Sequence, residues 1–320
     1  MIVKWVRKSD SKTFDITKFV GTTTWSGSSF QTSRTLEITM INSPHDKNIS
    51  EPDIKLGDRI QLYDDGKLLI DIMVYDRERK SESGEINYSG YDDLNHLLRS
   101  NYTGKFKNVT PKQVTEKICN QLQIETGVIA DPDINIKSML IDAENYYDII
   151  IKAYRKAYRS NGKKYMPIMA GRKLYIIEKG EVIDNFVLND KLNITSSSYS
   201  ETLQSMVNKV RIYDDKGNQI GEVKNGSNIL LYGIFQDTYT KEEGINATTG
   251  ANNLLNGIEK TAAIEGLGNI ECISGYGVKI KDSATNLIGT FWIENDTHTW
   301  SNNVHTMALE LTFKNVMESV

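Results

Sequence analysis

The sequence predicts an α+β fold, mainly β: two small antiparallel β-barrel domains, at 1–95 and 189–320, with an α/β insert between them at 96–188. Three observations predict it. Short apolar runs with a two-residue period occur at both ends of the chain. Turn signals such as Asp64-Asp65-Gly66 and Asp214-Asp215-Lys216-Gly217 separate those runs. The middle instead carries apolar residues at three- and four-residue spacing behind strong helix-start signals. A chain of 320 residues has room for two to three domains of roughly 100–150 residues each.

In the first region, 2–6 and 14–20 are apolar-rich. Leu36, Ile38 and Met40 alternate with Thr35, Glu37 and Thr39, the pattern of a half-buried strand. A strand over 57–63 ends at Asp64-Asp65-Gly66 and returns over 67–75; a polar run, 76–85, leads to 86–91. In the insert, Thr110 can cap a helix, Pro111 suits its first position and Gln113 can close a capping box. Val114, Ile118 and Leu122 then form one stripe, with Cys119 beside it. A second helix starts near Asn145, with Tyr147, Ile150, Ile151, Tyr154 and Tyr158 as its core face and Asn161-Gly162 as its stop. Ala170-Gly171-Arg172 reads as a hairpin. In the last region, 207–213 and 219–223 bracket another hairpin, 228–235 is an apolar strand and 236–246 a polar excursion. A third helix is expected from about Thr249 to Glu265, with Leu254, Leu255, Ile258 and Ala262 on one face. The segments 269–276, 289–294 and 305–313 read as strands. Both end regions run from an apolar strand through a polar excursion to an alternating return. A duplicated barrel explains this, and two unrelated meanders explain it equally.

Composition narrows the function. The formal net charge is −4 with a pI near 5.7, which does not suit a nucleic-acid binder. No run of about 18 apolar residues is present, so no membrane segment is expected. The N-terminus lacks the apolar middle of a signal peptide, so synthesis in the cytoplasm is expected. The two cysteines, Cys119 and Cys272, read as buried free thiols. No nucleophile elbow, P-loop, dinucleotide fingerprint or zinc-protease motif occurs. We therefore expect no catalytic, cofactor-binding or metal-ligating residues, and no enzyme. His298 and His305 flank a hairpin tip, but a structural zinc wants four ligands and no further Cys or His lies nearby. The acidic pairs Asp64-Asp65, Asp92-Asp93 and Asp214-Asp215 read as turn chemistry rather than as a glycosidase pair. Lys152, Arg155, Lys156 and Arg159 read as a solvated face opposite the Tyr/Ile stripe, with a site for phosphate or an acidic partner as the alternative.

Four segments carry a resemblance: Trp25-Ser-Gly-Ser with Arg34-Thr-Leu-Glu; Gly57-Asp-Arg-Ile-Gln-Leu-Tyr-Asp-Asp-Gly66; Tyr88-Ser-Gly-Tyr-Asp-Asp-Leu-Asn-His-Leu-Leu98; and Asn295-Asp-Thr-His-Thr-Trp300 with Val304-His-Thr-Met-Ala-Leu309. In their order and spacing they resemble the baseplate hub proteins of contractile phage tails, in the branch of PBSX-like prophages and phage-tail bacteriocins, similar to T4-like and Mu-like tail hubs. The resemblance implies two barrel-like domains per subunit and a homotrimer. Six similar barrels would then continue a hexameric tail tube and adapt it to a three-fold spike. Implied partners are the tail tube, central spike, baseplate wedge and tape measure proteins, with assembly in the tail baseplate of a phage or phage-tail-like particle. The resemblance carries no catalytic residues. An obligate trimer of this kind should bury about 2,000 Å² or more per interface. The interface candidates are Gln236, Thr238 and Tyr239 in the polar excursion, with the helix expected after it, and Trp300, Asn302 and Asn303 at a hairpin tip. For Trp300 the competing reading is a ring folded back onto its own barrel. The alternative function is a tail-tip protein that binds carbohydrate or degrades cell wall, which requires a cleft with exposed aromatics or paired carboxylates.

Overall fold

A computed structural model describes residues 1–30, 33–41, 52–81, 84–241 and 246–313. The first region contains β1 (Ile2–Val6), β2 (Thr13–Asp15), β3 (Val20–Ser28), β4 (Thr35–Ile41), β5 (Arg59–Asp64), β6 (Lys67–Lys80) and β7 (Glu85–Tyr91). The alternation read at Leu36, Ile38 and Met40 is the buried face of β4. The β5–β6 turn places Asp65 and Gly66 at positive φ, as an Asp-Gly hairpin requires. The polar run after Tyr75 is the far arm of β6, which pairs with β7 up to Lys80. The middle contains α1 (Leu94–Leu98), β8 (Asn101–Val109), α2 (Pro111–Leu122), β9 (Glu125–Ile129), β10 (Ile136–Asn145), α3 (Tyr146–Asn161), β11 (Tyr165–Ala170) and β12 (Lys173–Glu178). The capping box at Thr110 and Gln113 is formed, Asn145 caps α3, and Gly162 ends it in the left-handed conformation. Both helices turn apolar residues onto one core that includes Val114, Ile118, Cys119, Ile150, Ile151 and Tyr154, but Tyr158, expected on that face in the last turn of α3, is exposed.

The last region contains β13 (Val182–Asn189), β14 (Ile194–Thr202), β15 (Lys209–Tyr213), β16 (Gln219–Lys224), α4 (Gly226–Tyr232), β17 (Gln236–Thr240), α5 (Ala247–Asn252), β18 (Glu259–Leu267), β19 (Gly277–Asp282), β20 (Leu287–Ser301) and β21 (Val304–Thr312). Three expectations are corrected here. The apolar run near 228–235 contains a helix, because Asn225 caps it and Gly233 ends it. The long third helix is replaced by the short α5 and then by β18, in which Ala262, Ile264 and Gly266 alternate into the sheet. The segment 269–276 forms no strand; part of its backbone bonding is with the side chains of Asp296 and His298 rather than with a ladder.

Strands of the first and last regions form a single sheet of thirteen strands, with β3 hydrogen-bonded to β20. Among the described residues neither end region closes into a barrel of its own. The chain separates into two compact units: residues 1–197 with 263–320, and residues 198–262. The smaller unit lies within the stretch expected as the third domain. It holds β15 between β16 and β17, α4 and α5, on a small core of Val210, Ile212 and Ala251.

Candidate assembly interface

The segments that carry the resemblance meet in space within the larger unit. In the β3–β20 register, Gly27 lies opposite Asp296, Trp25 opposite His298 and Thr23 opposite Trp300. Arg34, entering β4, forks onto both carboxylate oxygens of Asp296 although the two residues are 262 apart in sequence. Its guanidinium also donates to the Ser274 hydroxyl at 3.4 Å and lies over the Trp25 ring at 4.2 Å. A β-carbon at Gly27 would sit 2.3 Å from that guanidinium. Asp296 also accepts from the backbone N–H of Ser274 at 2.7 Å. Both ends of the ion pair are buried, so desolvation opposes it, and the fork and the added donor offset part of that cost.

The other segments are pinned similarly. The Asp92 carboxyl accepts from the backbone N–H of Arg34 and of Leu94, both at 3.1 Å. Burial nevertheless pushes it up to about 7. Asp58 accepts from Trp5 Nε1, Lys8 N and Lys55 N at 2.9–3.0 Å. A β-carbon at Gly90 would lie 1.9 Å from the Met73 carbonyl oxygen, so only glycine lets β6 and β7 approach there. Asp93 and Asp71 share Arg59. Asp64 holds the Met1 amine and Trp300 Nε1, and Asp214 accepts from Lys216 N and Asn218 N inside its turn. The acidic pairs are thus engaged in turns, caps and ion pairs.

The two histidines do come together. His298 Nδ1 lies 3.0 Å from His305 Nε2, and His298 Nε2 lies 3.0 Å from the Cys272 carbonyl oxygen. A carbonyl only accepts, so His298 carries its proton on Nε2 and its Nδ1 accepts from His305. That arrangement uses the lone pair a shared metal would need. No group of three or more His, Cys, Asp or Glu suited to a metal occurs among the described residues. Burial holds the His298 imidazole down to about 4, the nearby Asp296 opposing, and burial also lowers His305. Cys119 and Cys272 are both buried, and burial pushes both thiols up to about 12, well away from thiolate chemistry.

The interface candidates fall into two classes. Trp300 is only 5% exposed: its ring stacks on His305 at 4.1 Å and packs into the core of the first region. The tip it precedes presents Asn302 and Asn303, both exposed and both at positive φ. In the smaller unit Gln236 and Thr238 are exposed on β17, whereas Tyr239 is half-buried, its ring against Gly250 and the small core. Residues 242–245 of the polar excursion lie outside the described residues. Sequence reasoning missed the apolar surface beside it. α4 buries no residue at all, and Leu230, Leu231 and Ile234 are 87%, 69% and 64% exposed. The signal was available: the run Ile229-Leu230-Leu231-Tyr232 does not alternate, and a capping Asn225 precedes it.

Comparison with known proteins bears on family and fold. Over 301 residues the chain is 27% identical to the phage-like element PBSX protein XkdQ of Bacillus subtilis, covering 91% of each. It is 26% identical over 269 residues to the uncharacterized protein YqbQ of the same organism, covering 81% of this chain and 82% of that one. Its fold is that of solved phage tail proteins. The 43 kDa tail protein of prophage MuSo2 from Shewanella oneidensis superposes with a TM-score of 0.71 at 14% identity over 97% of both chains. A tail protein from Neisseria meningitidis gives 0.67 at 12% identity, over 97% of this chain and 95% of that one. The YQBQ-like family matches residues 23–312, most of the described chain, and the protein belongs to that family.

Proposed function

We propose that this protein is a structural, non-catalytic hub of a contractile phage-type tail baseplate. In this reading it is made in the bacterial cytoplasm and forms a homotrimeric ring that joins the hexameric tail tube to the central spike. The observation that carries the reading is the single thirteen-stranded sheet, which links β-rich first and last regions within one subunit. Three such subunits supply six β modules, and if the two modules take near-equivalent places they meet a six-fold tube on one side and a three-fold spike on the other. The relatives support the setting: one is named for a phage-like element, and the superposed structures are tail proteins, one of them from a prophage. The commitment of the buried acids to arginines and backbone N–H groups, and of His298 to His305 and the Cys272 carbonyl, supports a structural role.

In this reading subunits and baseplate partners meet through surfaces that the single chain leaves open: the apolar α4 face with Gln236 and Thr238, and the β20–β21 tip at Asn302 and Asn303. Exposed apolar residues clustered in a short stretch mark an association site rather than ordinary surface. Imaging of an assembled particle by electron cryo-microscopy tests the proposal. The expected result is three copies between tube and spike, with the first and last β regions overlaying on each other. Six copies, a position outside the baseplate, or two regions that do not overlay would overturn it.

A further inference from the structure

The exposed side of α3 presents four cations in one line. Lys152, Arg155, Lys156 and Arg159 stand at i, i+3, i+4 and i+7, which puts them on one face over about 10 Å of helix. With Glu144 they line a hollow of about 280 Å³. The fold does not call for cations at the exposed positions 156 and 159. The helix is already capped at both ends, and its opposite face is fixed by Tyr147, Ile150, Ile151 and Tyr154 in the core. Within the line, Lys152–Lys156 and Arg155–Arg159 are i,i+4 neighbours, while Lys152–Arg155 and Lys156–Arg159 are i,i+3 neighbours. All four pairs are like-charged, an arrangement that disfavours a helix. Glu144, bound to Lys152 Nζ at 2.6 Å, is the one carboxylate lining the hollow among the described residues. Four positive charges against one leave the hollow at +3, on a chain whose formal net charge is −4.

We propose that this stripe is a docking site for an acidic segment of a partner protein. Charge complementarity carries the choice. The planar guanidinium group of Arg159 suits a carboxylate two donors at a time, and Lys152, Arg155 and Lys156 add positive charge along the same face. A nucleic acid fits less well, because no aromatic side chain lines the hollow for base stacking and the negative net charge of the whole chain opposes a long polyanion. A docked acidic segment relieves the repulsion along the helix. The inference does not depend on the ring proposed above.

The test uses the full chain and a labelled deca-glutamate peptide, read by fluorescence anisotropy at low salt. A duplex DNA of matched charge is the comparison. The expected result is saturable peptide binding that weakens steeply with salt and falls at least tenfold in the Lys156→Glu/Arg159→Glu variant. Both positions are exposed, and an unchanged circular dichroism spectrum and melting curve show that the variant is folded. A milder Lys156→Gln/Arg159→Gln variant should give an intermediate loss. Three results would overturn the proposal: no peptide binding, tighter binding of the DNA than of the peptide, or a change of oligomeric state in the reversed variant, which would make a second copy of the chain the occupant.

Discussion

The seam between β3, β4 and β20 and the face around α4 invert each other's chemistry. The seam buries polar and titratable groups: Arg34, Asp296, Asp92 and His298 sit where hydrocarbon is the usual filling. The α4 face exposes hydrocarbon: Leu230, Leu231 and Ile234 sit where charge is usual. A buried ion pair is weak as a source of stability, because desolvation offsets much of its attraction. Its fork geometry is directional, however, and it fixes which strands pair and in what register. The apolar face has no directionality and gains free energy only once something covers it. The seam thus defines the fold of one subunit, while the open face is suited to contacts beyond it.

The largest effect expected from breaking this contrast is at Asp296. Asp296→Ala leaves the Arg34 guanidinium buried without its partner and removes the acceptor of Ser274 N. Losses of about 3–5 kcal/mol are usual for breaking one side of a buried pair. Urea denaturation should show that loss, and a change below about 1 kcal/mol would mean the pair is not buried in solution.

Acid should expose the same seam through His298, with Asp92 acting in the opposite sense. His298 is held neutral, down to about 4 against an ordinary 6.5, so the unfolded chain binds its proton first. The favourable contribution is complete above pH 6.5 and is lost as pH falls toward 4. At about 1.4 kcal/mol per pH unit, that loss reaches about 3 kcal/mol. Asp92 is raised to about 7 against 3.8, so the folded chain binds its proton first. Its contribution is complete below pH 3.8 and is lost as pH rises toward 7. The two oppose each other between pH 4 and 6.5. Thermal melting of Asp92→Asn should therefore fall more steeply on acidification than that of the unaltered protein. Melting of His298→Asn should instead improve on acidification over the same range. Parallel pH profiles for all three proteins would contradict the assignment.

Gly90 gives a smaller effect of backbone origin. Gly90→Ala sets a methyl against the Met73 carbonyl and must push β6 and β7 apart. About 1–3 kcal/mol is expected from such overpacking. Gly217→Ala is a useful contrast: no atom lies within 4 Å of its β-carbon position, and only its positive φ resists the change. Equal losses at the two sites, measured by denaturation, would remove close approach as the reason for glycine at 90.

What could be read from the sequence divides along the same lines. The middle helices were legible because their information is local: Thr110 and Gln113 cap one, Asn145 and Gly162 delimit the other, and an apolar stripe runs between. The hairpins at Asp65-Gly66 and Gly171 were legible for the same reason. The seam was not. Arg34 and Asp296 are joined by pairing between strands from opposite ends of the chain, and no local pattern encodes that register. The segment 269–276 misled because buried Cys272 and Ser274 look like strand interior, while their backbone groups in fact serve His298 and Asp296. Residues 254–262 misled because Leu254, Leu255, Ile258 and Ala262 fit a helical stripe by spacing; Asn252, Asn253, Asn256 and Gly257 were the overlooked breaks.

The smallest expected effect on folding is the one that separates the two regions most sharply. Leu230→Ser and Leu231→Ser change side chains that are 87% and 69% exposed in the single chain, on a helix that buries nothing. Substitutions away from a core usually stay within about 0.5 kcal/mol, so the melting curve of the double variant should match that of the unaltered chain. If α4 is covered in the assembly, each leucine contributes about 1.5–3 kcal/mol once fully buried there, and the double variant should lose association while keeping its fold. Sedimentation of the chain with the proposed baseplate partners, beside its melting curve alone, measures both quantities on one variant. A large loss of thermal stability would mean that α4 packs within its own subunit after all. An unchanged fold with unchanged assembly would mean that the exposed leucines face solvent throughout, and the contrast between a seam that defines the subunit and a face that joins subunits would fail at the joining end.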